Sequence, residues 1–285
     1  MSVDFAGLSL ATPVLAASGC AGTGSELQRF TPLSGFGAVV TRSITLTARP
    51  GGRLPRLVES HSGIVNALGL PGPGVDDFVA RELPDLVATG ATVIVSVWGE
   101  SPADFGKVAQ RLRQVEGVAA VEVNLSHPSA PTPDPAAAVH QVRRNSATAT
   151  PVIAKLGAES VVASARSCVA AGADAVALVN AVPAVPMTPA GPALGSVFGG
   201  LSGPAIQPIA LRAVWQVREA LPELPIIGCG GITTGLDAAR FLAAGATVVA
   251  VGSALLTDPS AGARVRDELA EVVVWDGAQD SGGPS

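Results

Sequence analysis

The chain has 285 residues, 48% hydrophobic and only 14% charged, with a formal net charge of −5 and a positive mean hydropathy. That supply of apolar residues excludes disorder and suits one large core, while the negative balance and the lack of a basic stripe argue against a nucleic-acid partner. No apolar run approaches the ~18–20 residues of a membrane span, and the start Met1-Ser2-Val3-Asp4-Phe5 lacks the basic opening of a secretion signal, so the chain is expected in the cytoplasm.

In chain order, short β-branched runs at 13–17, 37–41, 92–97, 120–124, 152–156, 173–180, 225–229 and 247–252 read as strands. Amphipathic stretches at 101–115, 135–145, 160–171, 204–220 and 236–244 read as the helices between them, several opening on a Ser, Asp or Thr cap or on Pro in the first turn. Two helices close on glycine, Gly172 and Gly245, and run directly into the next strand, as an αβ junction does. Eight such units favour a (β/α)8 barrel over an open doubly wound sheet, and a barrel needs roughly 250 residues. No Gly-x-Gly-x-x-Gly turn follows the first strand, which removes the best reason to prefer a dinucleotide-binding sheet. Residues 1–275 are read as one barrel domain and the polar 276–285 as a frayed tail. The segments 125–137 and 181–200 are dense in Pro and Gly and follow strands, so they are expected to be long loops at the C-terminal face, where barrels build lids and sites.

Chemistry enters at the ends of the last two strands. Gly228-Cys229-Gly230-Gly231 and Val251-Gly252-Ser253 bring bare backbone amides to the place where barrels hold phosphate; the alternative is that these glycines only make tight turns. Lys155 lies within the apolar strand Val152-Ile153-Ala154-Lys155-Leu156. A buried ammonium needs an anionic partner, either a reduced flavin ring or a structural carboxylate such as Glu122. Asn66, Asn124 and Asn180 stand near the same mouth, and each offers the donor and acceptor that suit the edge of an amide or imide ring. His127, just past the fourth strand, is a candidate general base at neutral pH or an exposed loop histidine. Cys20, Cys168 and Cys229 are odd in number and widely spaced, which suggests neither a disulfide framework nor a zinc site.

In order along the barrel, Ala17-Ser18-Gly19, Pro55-Arg56-Leu57-Val58-Glu59, Asn66-Ala67-Leu68-Gly69-Leu70, Gly199-Gly200-Leu201-Ser202-Gly203-Pro204-Ala205-Ile206 and the two glycine turns resemble the class 1 dihydroorotate dehydrogenases, most of all the 1B catalytic subunit. The resemblance implies an FMN barrel that passes hydride from a substrate C–H bond to flavin N5 while a lid residue removes a proton, in pyrimidine biosynthesis. It implies that Ala17, Ser18, Gly19, Arg42, Ser96, Lys155, Gly203, Gly230, Gly231, Gly252 and Ser253 hold the cofactor. Asn66, the amides of Gly69 and Leu70, Arg42, Asn124, Ser129 and Asn180 would hold a small cyclic carboxylate substrate. His127, Lys155 and Asn124 would serve catalysis. Class 1B members work with a second subunit carrying FAD and an iron–sulfur cluster, and a homodimer is the family's default.

Several positions depart from the family pattern. His127 replaces the lid cysteine, Ser129 the asparagine after the following proline, and Arg42 a second active-site lysine. Ser96 replaces a flavin-side asparagine, Ala181 a threonine or serine, and Gln207 a lysine. Imidazole remains a competent base where a thiol stood, and Arg42 keeps the charge on a wider fork. Losses at Ser129 and Ala181 fall along the amide edge, where missing hydrogen-bond partners weigh heavily on substrate choice. Three readings follow: oxidation of dihydroorotate to orotate, a paralogue in specialised or catabolic metabolism acting on another ring, and a non-catalytic flavin- or phosphate-binding subunit.

Overall fold

A computed structural model of the chain describes residues 2–22, 24–127 and 134–280. Eight parallel strands close into a barrel: β1 Val14–Ala16, β2 Val39–Val40, β3 Val93–Val97, β4 Val118–Asn124, β5 Val152–Leu156, β6 Ala175–Leu178, β7 Ile226–Cys229 and β8 Val248–Val251. Each strand pairs with its successor, and β8 closes on β1 with Val249 beside Val14. This is the (β/α)8 barrel expected from the eight repeated units.

Both faces of such a sheet are covered, so its strands read as continuous apolar runs whose alternate residues serve different cores. Val93, Val95, Val97, Val121, Val123, Val152, Ala154 and Leu156 face outward and pack with the helices. Leu15, Val40, Ile94, Ala120, Ile153, Ala177, Ile227 and Val248 fill the interior together with Phe5 and Leu10. The last two come from a hairpin, Val3–Phe5 with Leu8–Leu10, whose fully buried Phe5 packs among those interior residues. Its three-residue strands are too short to show a period in the sequence.

The outer helices form where their caps allow. Ser101 accepts from the Asp104 amide ahead of the helix Pro102–Leu112, and Asp134 accepts from Ala136 and Ala137 ahead of Pro135–Asn145. Thr234 and Asp237 make a reciprocal capping box on Gly235–Ala243. Ser160 makes no such bond; it takes φ 47° before Val161–Ala170. Gly172 and Gly245 adopt φ 106° and 105°, as the two junctions required. The helix Leu83–Ala88 and the π-turn Phe78–Glu82 before it escaped the sequence reading, because Pro84 breaks the apolar period there. The last helix is Ala261–Asp280 and enters the segment that composition assigned to the tail. No helix among the described residues is long and apolar enough to cross a membrane.

The segment 181–200 departs from the expected loop. Val182–Ala184 pairs antiparallel with Gly199–Ser202, which pairs with Gly63–Asn66 and so with Leu57–Ser60. This small sheet has its own core of Val65, Ala67 and Leu194 and supplies Leu57, Ile64, Asn66 and Ser202 to the wall of the barrel's cavity. Its strands are three or four residues long, and those from the 181–200 side are rich in Gly and Pro, so alternation is absent and only tertiary pairing makes them strands. Of the other expected loop, 125–137, residues 128–133 lie outside the described residues, and Pro135 already opens a helix.

Candidate active site

Within a barrel strand every second side chain points inward, so strand parity decides what the open end carries. Inward positions low in the barrel are apolar: Leu15, Ile94, Ala120, Ile153 and Ile227. Two residues further along come Ala17, Ser96, Glu122, Lys155 and Cys229, and β4 ends on Asn124. Register sets Ser96 beside Glu122 and Asn124 beside Lys155. A cavity of about 310 Å³ opens above them, lined by Ala17, Glu122, Asn124, Lys155 and Cys229 among others. Small-molecule sites start at about 300 Å³.

Lys155 is 5% exposed, and among the described residues its ammonium has no carboxylate within the 4.0 Å of an ion pair. Burial acts to lower its pKa, but the Cys229 sulfur and the Glu122 carboxylate favour the charged form and hold it above the ordinary lysine value. Glu122 is 2% exposed, and its Oε1 has no hydrogen-bond partner. Burial lifts its pKa, against the pull of Lys155 and a hydrogen bond from Ser96. The ammonium therefore remains a charge close to the cavity, in contact with the Cys229 sulfur but with no carboxylate at ion-pair distance among the described residues.

The two glycine turns border the same space. Gly230 and Gly231 have φ 132° and 74°. A Cβ on Gly230 would sit 2.9 Å from Ala210 Cβ, and one on Gly231 would sit 2.9 Å from both the Gly203 carbonyl oxygen and Gln207 Cβ. Only glycine fits this turn. Among the described residues the amides of Gly230, Gly231, Gly252 and Ser253 donate to no other backbone oxygen. The four N–H groups are available to an anion, and this donor set fits a phosphate. Ala17, Ser18, Gly19 and Gly203 line the cavity alongside them, with the Ser18 hydroxyl anchored to the Thr41 carbonyl at 2.7 Å.

A chain of polar contacts crosses the mouth. Asn180 Nδ2 donates to Asn124 Oδ1 and to the Ser126 carbonyl, both at 3.0 Å. Asn124 Nδ2 donates to Ser43 Oγ at 2.9 Å, and Ser43 shares a hydrogen bond with Ser96 Oγ at 3.1 Å. Asn66 reaches the cavity from the small sheet, anchored to the Gly200 carbonyl at 3.2 Å. Next to it Gly69 and Leu70 take φ 70° and 55°, and their amides donate to no backbone oxygen among the described residues. Left-handed backbone at a leucine costs about 1–3 kcal/mol and is characteristic of binding sites. His127 is half-buried and lines the cavity. Burial first, and the Arg49 charge second, hold its pKa below the ordinary histidine value, so at neutral pH the imidazole is in its proton-accepting form.

Of the residues expected at the site, the cavity gathers all but two. Ser96 shares the layer of Glu122 and Lys155 but is fully buried beneath the cavity, and its link to Asn124 runs through Ser43. Ser129 lies outside the described residues. Arg42 lines the cavity, but its Nη2 is engaged by both Glu82 oxygens at 2.6 and 2.7 Å, leaving Nε buried without a partner. Sequence reasoning missed Ser43, Trp98 and Arg49. Trp98 stands at the first position past β3, as Leu125 does past β4 with His127 two residues further, and that closeness to the strand ends was the available signal.

A family model for dihydroorotate dehydrogenase matches residues 1–273. A protein of Desulforudis audaxviator named dihydroorotate dehydrogenase B (NAD(+)), catalytic subunit, is 44% identical over 98% of this chain and 94% of its own length. Proteins of the same name from Citrifermentans bemidjiense and Geobacter sulfurreducens are 42% and 40% identical, over 96% and 98% of this chain and 93% and 95% of their own.

Proposed function

The chain belongs to the dihydroorotate dehydrogenase family, and from that premise we propose that it oxidises dihydroorotate to orotate, with FMN as resident cofactor and His127 as the base. The observation that carries the reading is Lys155, a barrel-interior ammonium that lines the cavity beside the glycine turns without a carboxylate at ion-pair distance among the described residues. Near-full-length similarity to catalytic subunits favours neither a non-catalytic barrel nor a specialised paralogue.

The residues present fit FMN. The amides of Gly230, Gly231, Gly252 and Ser253 would hold the phosphate, Ala17, Ser18, Gly19 and Gly203 the body of the cofactor, and Lys155 the electron-rich side of the ring. When bound, FMN supplies a two-electron acceptor for hydride. The chain's own groups do the rest. Asn66 and the strained amides of Gly69 and Leu70 hold the substrate carboxylate, with Arg42 adding charge from behind its Glu82 contact. Asn124 and Asn180, locked to each other, present the remaining polar atoms to the ring's amide edge, and the resemblance implies a substrate contact for Ser129 as well. His127, neutral at physiological pH, takes the proton from the carbon adjacent to the one that loses hydride, and the small sheet of the mouth excludes water. Ser96 acts through Ser43 on Asn124 rather than by contact.

The relatives' name, a catalytic subunit of an NAD(+)-linked enzyme, supports a second subunit that accepts the electrons; that this subunit carries FAD and an iron–sulfur cluster, and that this chain is a homodimer, is what the family resemblance implies. Anaerobic mixing of the flavoprotein with dihydroorotate tests the core of the proposal. The visible flavin bands should bleach, and His127→Ala should keep FMN but not bleach. A purified protein that takes up no FMN, or that holds FMN and is never reduced by dihydroorotate, would overturn it.

A further inference from the structure

Three consecutive strand ends place three side chains in a row: Arg49 after β2, Trp98 after β3 and His127 after β4. The Arg49 guanidinium carbon lies 4.9 Å from the centroid of the Trp98 ring. The indole and imidazole centroids are 5.9 Å apart, with the planes tilted by 53°. That separation and tilt are those of a favourable aromatic pair, and the guanidinium is within cation–π range.

The row is anchored away from His127. Trp98 is 4% exposed, and its amide donates to the Ile44 carbonyl at 2.9 Å. Arg49 exchanges both backbone hydrogen bonds with Gly72 at 2.8 and 3.0 Å, and its Nη1 lies 2.9 Å from Glu100 Oε1. Its Nε is buried without a hydrogen-bond partner, so the indole is the contact that its guanidinium face makes on the inner side. An imidazole is larger than a thiol and turns about two side-chain bonds, so a base built on histidine needs its ring direction fixed by a neighbour. A wall from the adjacent strand end meets that need.

We propose that Trp98 and Arg49 are positioning residues for the base: Trp98 fixes the direction of the His127 ring, and Arg49 fixes Trp98. This rests on the reading of His127 as the base. The charge on Arg49 adds a second effect, because a cation on the indole disfavours another beside it. Among the described residues it is the charge that, after burial, lowers the His127 pKa. The other charged groups on these strand ends are Glu100, which pairs with Arg49, the Arg42–Glu82 pair, and Glu122 and Lys155 deeper in the barrel. The arrangement is thus suited to a ring that is aimed and unprotonated when substrate arrives.

The test is the rate constant for anaerobic flavin reduction by dihydroorotate, followed across the histidine titration range in the FMN-loaded protein. Trp98→Leu should lose on the order of tenfold or more at every pH, since misaimed groups lose orientation advantage. Trp98→Phe, which restores a ring, should recover most of the rate. Arg49→Gln should move the acid limb of the profile to higher pH while FMN stays bound. Wild-type rate and acid limb in both Trp98→Leu and Arg49→Gln would overturn the proposal, and if Trp98→Leu does not fold, an unmoved acid limb in Arg49→Gln overturns it alone. A His127→Ala protein that is reduced at the wild-type rate would instead remove the base itself, so the two failures are distinguishable.

Discussion

Gly231→Ala separates a phosphate cradle from an ordinary tight turn. Gly231 sits at φ 74°, where an L-residue costs about 1–2 kcal/mol. Its Cβ would also come 2.9 Å from the Gly203 carbonyl oxygen and 3.2 Å from Gln207 Cα, both backbone atoms that yield only if the turn moves. The substitution should therefore displace the amides of Gly230 and Gly231 and lower the apo-protein's Tm by about 2–8 °C, taking ~2–4 °C per kcal/mol for a chain of this size. A loss of about 1.4 kcal/mol in phosphate contacts is tenfold in Kd. Fluorescence titration of apo-protein should show FMN binding weakened about tenfold or more, with riboflavin affinity nearly unchanged. Gly172→Ala is the control: its φ of 106° also strains an L-residue, its nearest contact is a side chain, Arg143, rather than backbone, and it lies outside the cavity. It should lose stability and keep FMN affinity. If Gly231→Ala lost FMN and riboflavin equally, or matched Gly172→Ala with FMN affinity intact, the turn would be structural only.

Lys155→Met should slow flavin reduction by dihydroorotate on the order of 10²-fold, the usual loss when a charge aimed at a developing negative centre is removed; an unchanged rate together with a steep fall in Tm would assign Lys155 to a structural pair with Glu122. The reduction rate should fall with acidification around a midpoint below the ordinary histidine value of about 6.5, because burial and Arg49 lower the His127 pKa and the base works only above it. A midpoint above that value would contradict the environment seen here. Phe5→Ala should lower stability by about 3–5 kcal/mol in urea unfolding, since the ring is fully buried in the barrel interior, while FMN affinity holds. A loss below ~1 kcal/mol would mean that the hairpin does not plug the barrel.

Much of this was legible before any coordinates. Each strand of the barrel announced itself by a local apolar run, and Gly172 and Gly245 marked two junctions by the one residue that accepts their backbone angles. Lys155 stood out because a single ammonium interrupts a strand that otherwise reads as core. The glycine turns after β7 and β8 were visible for the same reason: a conformation that excludes side chains leaves a signature in composition. What stayed hidden has no local signature. The small sheet that walls the cavity joins residues 57–66 to residues 182–202 through Gly- and Pro-rich strands without alternation. Arg42 looked like a free charge until Glu82, forty residues away, was found holding it. Ser43, Trp98 and Arg49 were ordinary residues until the register of β2, β3 and β4 set them beside Asn124 and His127.

The sequence by itself determined the repeated unit and its count. These depend on periods of two to four residues, and steric and hydrophobic preferences act at that range. Tertiary structure alone decided which inward groups meet, since closing the ring brings β8 back to β1 and sets neighbours that are tens to hundreds of residues apart. Whether a buried charge is paired or left for a ligand is a question of a few ångströms across strands, and only that closure answers it.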